Sequence, residues 1–84
     1  MIRDFQQRGW QHRAARVVLG FTLAAVARVS AVPVGRISAF ERGLLDLDDR
    51  EEVALHDALA KLTRDAEEEL AAMTVEPVAG GRRE

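Results

Sequence analysis

Punctuation is the feature of this 84-residue chain that most limits its fold. Only two prolines, Pro33 and Pro77, interrupt it, and Gly20 and Gly43 stand where helical runs would stop. Between Gly43 and Pro77 neither residue type occurs, while Val53, Leu55, Leu59, Leu62, Ala66, Leu70 and Met73 recur mostly at steps of three and four. That spacing predicts one amphipathic helix of about 25 residues, over about 49–73. Asp48 with Glu51 three positions on gives it a capping-box start, and further acids in its first turn suit the helix dipole.

Ahead of Gly43 the pieces are short. A first helix is expected from about Trp10 to Leu19, leaving residues 1–9 as an arm that Phe5 could anchor. Thr22 caps a second helix, Leu23 to Val29, with Phe21 before it as a staple residue. Ser30, Ala31 and Val32 form a turn, and Pro33 opens a third helix that runs to Glu41 or Arg42. Residues 74–84, with Pro77, paired glycines and charge, are expected to be a flexible tail. The expected architecture is all-α: a compact domain of four to five helices over 10–73 with an extended C-terminal helix.

So short a chain folds alone only if its helices pack well, or else it pairs with a copy of itself. It has no cysteine, which removes disulfides and thiolate zinc sites. No apolar run approaches the roughly 20 residues of a membrane span, and the opening Arg3, Asp4, Gln6, Gln7 and Arg8 do not read as a signal peptide. A soluble, cytoplasmic protein is the expectation. Its net charge of −2 conceals an uneven distribution. Residues 1–44 carry seven basic side chains against two acidic ones, and residues 45–84 carry five against twelve. One half is thus suited to a polyanion, unless the charges are simply solvated helix faces.

Short helices with a Thr cap, a tight turn and a Gly stop have the layout of a helix-turn-helix domain. The stretch Arg16 to Gly43 resembles the Cro/repressor (XRE) family of DNA-binding domains. The matching residues are Arg16 four before Gly20, Gly20-Phe21-Thr22, Val26-Ala27, Val32, and Ile37-Ser38-Ala39-Phe40-Glu41-Arg42-Gly43. With the flanking helices the resemblance covers roughly residues 8 to 63. It implies an ion pair between Arg16 and Glu41, structural rather than DNA-reading. It also implies a third helix in the major groove, with Val34, Gly35, Arg36, Ser38 and Ala39 facing bases or phosphates. The second-helix start at Thr22 and Leu23 would meet a phosphate. Val26, Val32, Ile37 and Phe40 would form the wedge between the two helices.

The sequence departs from that pattern at several positions. Val34, Gly35 and Ala39 stand where relatives often carry polar side chains, Leu23 stands where a Gln is common, and Pro33 replaces a Ser cap. Only Arg36 offers a bidentate contact to guanine, so specificity would come partly from DNA shape and half-site spacing. Arg8, Arg13 and Arg42 are candidate phosphate contacts, with solvated surface charge as the plain alternative. Val17, Val18, Leu44, Leu45 and Leu47 suggest more apolar surface than one small domain covers. A homodimer seam is expected at Ala66, Leu70 and Met73.

No catalytic or metal constellation is legible. The serines Ser30 and Ser38 are explained by turn and helix, and His12 and His56 are far apart in the chain. The acids between Asp46 and Glu52 lack the spacing of a calcium loop, and Gly80-Gly81 is no phosphate loop. The expectation is a small dimeric repressor of the phage, plasmid or antitoxin kind that binds double-stranded DNA, without cofactor, metal, membrane or catalysis. The alternative is a protein-interaction module on the same scaffold, docking another regulator, a toxin or RNA polymerase.

Overall fold

The first helix, α1, spans Asp4–Leu19 in the computed structural model, and begins six residues before the expected Trp10. Two features account for the difference. Gln6 Oε1 accepts the Arg3 backbone N–H at 3.0 Å, which closes the first turn, and Gln6 Nε2 donates to the Gly43 carbonyl at 3.2 Å. Gly9, the last residue of the expected arm, is instead a point where α1 closely approaches the end of α3. It lies against the Phe40 carbonyl, where a Cβ would collide with the backbone. Gly20 ends α1 in the left-handed region at φ 83°.

Helix α2 spans Leu23–Ser30, and Thr22 Oγ1 accepts the Ala25 N–H at 3.0 Å as its cap. Ala31 then takes φ 64°, a left-handed conformation that an L side chain resists, and Ser30 Oγ accepts the Val32 N–H at 3.1 Å. Helix α3 spans Val34–Glu41, with Pro33 before it and Gly43 at φ 77° after it. Helix α4 spans Asp49–Gly81. Its cap is reciprocal: Asp48 Oδ1 accepts from Glu51 N at 2.8 Å, and Glu51 Oε1 accepts from Asp48 N at 3.2 Å. The structure describes the backbone of residues 1–81 and the side chains of residues 1–73. Helix α4 thus runs past the expected end at residue 73, and the backbone of 74–81 is helical where a tail was expected; residues 82–84 lie outside the described residues.

The architecture is all-helical, with four helices and no strand among the described residues. Val26, Val32, Ile37, Phe40, Leu47, Leu55 and Ala58 form the buried core, with Phe21, Leu23, Ala27, Leu45, Leu59 and Leu62 packed against it. Each of the large buried side chains contributes roughly 1.5–3 kcal/mol of hydrophobic stabilisation. Leu45 and Leu47 therefore close the core, contrary to the reading of them as surplus surface. The connector they occupy thus contributes to the core cluster. Val17, Val18 and Leu44 do remain exposed.

Helix α4 reaches well beyond the body it packs on. A 33-residue helix is about 50 Å long, and its core-facing residues lie between Ala54 and Leu62. The radius of gyration is 16.8 Å, against about 12 Å for a rounded chain of this length. No single helix among the described residues is long and apolar enough to cross a membrane.

Candidate functional site

Helices α2 and α3 are joined by the three residues Ala31, Val32 and Pro33 and meet at 119°. Val26, Val32, Ile37 and Phe40 fill the angle between them and are all buried. The opposite face of α3 is exposed at Gly35 and Arg42 and half-buried at Ser38 and Ala39. Helical spacing puts Gly35, Ser38, Ala39 and Arg42 along it, with Val34 and Arg36 at its sides. A Cβ added at Gly35 meets nothing within 4 Å, Val34 is 43% exposed, and Leu44 just beyond α3 is 67% exposed. Thr22 is exposed at the start of α2, whereas Leu23 turns partly into the core.

Beneath this face lies a buried polar cluster. Arg16 grips Glu41 with two parallel bonds, Nε to Oε2 and Nη2 to Oε1, both 2.8 Å, and its Nη1 donates to the Phe21 carbonyl at 2.9 Å. The bidentate bond to Glu41 holds the Arg16 guanidinium above its ordinary pKa. Glu41 is buried, so it needs these donors. One arginine thereby ties α1, the start of α2 and the end of α3 together.

Sequence reasoning missed the third member. His12 is buried, with Nδ1 2.9 Å from Glu41 Oε2. Burial pushes its pKa below 6.5, against the opposing pull of Glu41. The neutral ring therefore carries its proton on Nδ1 and donates to the carboxylate. His12 Nε2 is buried with no hydrogen-bond partner among the described residues. A protonated ring would hold an unsatisfied donor there. The available signal was the 4-3-4 spacing of Phe5, Gly9, His12 and Arg16, a core stripe disguised by a glycine and two polar residues.

The structure also redistributes the arginines. Arg36 is not free beside the open face. Its Nε and Nη2 donate to Glu51 at 2.8 and 2.7 Å, linking α3 to the capping turn of α4. The pair raises the Arg36 pKa and lowers that of Glu51, chiefly through these bonds. Arg8 donates to Glu52 at 2.8 Å and to Asp46 at 3.3 Å, across a groove of about 220 Å³ between α1 and α4 that His12 and His56 also line. Arg13, Arg28 and Arg42 are exposed and form no ion pair among the described residues. Near the α2–α3 face the cations available to a polyanion thus include Arg28 and Arg42, whereas Arg8 is held by carboxylates and Arg36 is available only after leaving Glu51.

Ala66, Leu70 and Met73 lie apart from this face, exposed on the projecting part of α4. Among the described residues no group of three or more His, Asp or Glu side chains is placed to hold a metal ion. No family model matches this chain, and no curated protein or solved structure matches it.

Proposed function

We propose that this chain is a non-catalytic DNA-binding regulator of the helix-turn-helix kind, resembling the Cro/repressor (XRE) family and working as a homodimer through Ala66, Leu70 and Met73. One observation carries the reading. Two short helices meet at 119° across a three-residue turn, and the second turns an uncovered face outward. In this reading α3 enters the major groove. Gly35 and Ala39 let its backbone approach the bases, and Val34 and Ala39 offer methyl groups to thymine. Arg28 and Arg42 meet phosphates on either side, and the capped N-terminus of α2 at Thr22 points N–H groups at another. Dimerisation doubles a half-site whose direct readout is sparse.

A second reading, a protein-docking module, is favoured by the pairing of Arg36 with Glu51. With Arg36 held, Val34, Gly35, Ala39 and Leu44 leave a largely apolar face. Fluorescence anisotropy with a labelled duplex separates the two. DNA binding predicts that Arg28→Ala and Arg42→Ala each weaken binding and lower the slope against log salt by about one. An undiminished slope in both variants would exclude this face as the DNA site and favour the docking module.

A further inference from the structure

We infer that two copies of this chain associate reciprocally, the projecting part of α4 from each copy lying along the outer face of α1 in the other. On α1, the side turned away from Gly9, His12 and Arg16 carries Trp10, Ala14, Val17 and Val18. Trp10 is 43% exposed, Val17 54% and Val18 85%. These residues form a stripe about 12 Å long. On α4, beyond Leu62, the last residue packed on the core, Ala66, Leu70 and Met73 form a second stripe of about 10 Å. The two are matched in length and in apolar character.

Charge selects how they pair. Arg13 borders the α1 stripe and Arg3 stands at its N-terminal end, while Glu67 and Glu69 flank the α4 stripe on its two sides. None of the four is ion-paired among the described residues. Residues 1–19 carry four arginines against one aspartate, and residues 64–73 carry four acids against one arginine. Pairing either stripe with its own copy would set like charges against each other. Pairing α1 with the partner's α4 neutralises both rims, and a two-fold axis uses each stripe once per copy. The arrangement specifies the dimer invoked above and is independent of what the α2–α3 face binds.

Trp10 is the only tryptophan, so its emission reports the interface directly. Sedimentation velocity and tryptophan emission are followed on dilution, without DNA, for the wild type, R3E/R13E, E67R/E69R and their equimolar mixture. Circular dichroism verifies that each variant is helical. The expected result is a wild-type dimer with blue-shifted emission, a dissociation constant raised at least about tenfold in each variant alone, and wild-type association restored in the mixture. A monomeric wild type, an R3E/R13E variant that dimerises like the wild type, or a mixture that fails to recover would each overturn the inference. The DNA reading is judged separately by its salt slope, so either can fail without the other.

Discussion

Single residues decide how closely these helices approach and how the turns between them close. Gly9 is the clearest case: it lets α1 rest on the Phe40 carbonyl, and Gly9→Ala is expected to cost about 2 to 3 kcal/mol in urea unfolding, by forcing the helices apart. Ala31 has the opposite problem. Its φ of 64° suits glycine, so Ala31→Gly is expected to stabilise the domain by about 0.5 to 1 kcal/mol, the relieved strain exceeding the added chain entropy. A melting temperature that falls in Ala31→Gly would contradict that account of the turn. His12 makes stability depend on pH. Its folded-state pKa lies below 6.5, so the unfolded chain takes up the proton first as pH falls. Stability is therefore fully present above about 6.5 and declines as pH drops toward the folded value. Glu51, also depressed, adds a second loss below about 4.5. Thermal melts between pH 7.5 and 5 should show the first decline, and His12→Asn, whose amide can donate to Glu41, should flatten it. Thr22 and the Asp48–Glu51 box were legible in the sequence because each follows local spacing, whereas the Arg16–Glu41 pair, 25 positions apart, was expected only from the family resemblance. Gly9 and His12 were not legible, since the first rests on the Phe40 carbonyl and the second on the Glu41 carboxylate, both distant in the chain.

At the scale of elements, apolar periodicity located α4, and glycine stops located the ends of α1 and α3. Periodicity failed at the connector before α4. Leu45 and Leu47 have no helical rhythm, and only the tertiary fold brings them to the core cluster. It was equally silent on the link between α3 and α4. Arg36 was expected as the only side chain of α3 able to contact guanine bidentately, but its bidentate bond to Glu51 joins groups 15 positions apart across a turn. On the proposed DNA-binding reading, that bond would compete with DNA for the same guanidinium. If α3 reads DNA, Glu51→Gln frees Arg36 and tightens duplex binding severalfold, while Arg36→Ala weakens binding to the preferred site by about tenfold. Competition titrations with the two variants check this. Unchanged affinity in both would mean that Arg36 serves only to brace α3 against α4.

At the scale of the molecule, the uneven charge and the elongated shape have one physical reading. The basic half folds into the body that carries the α2–α3 face, and the acidic half supplies the long helix that leaves it. On the proposed DNA-binding reading, a polyanion would be drawn to the former and repelled by the latter, which would orient the encounter before any close contact forms. The sequence made this division visible but hid its effective strength, because Arg8, Arg16 and Arg36 are consumed by internal carboxylates. The electrostatic share of binding therefore falls to few side chains, and the measurement that tests the central claim must separate sequence preference from charge. It is a salt-resolved titration of the full chain against DNA from upstream of its own gene and against a scrambled duplex of equal length. A preference of about a thousandfold or more for the upstream DNA, persisting as salt rises, is the predicted result. Equal affinity for the two duplexes, or no binding to either, would contradict it.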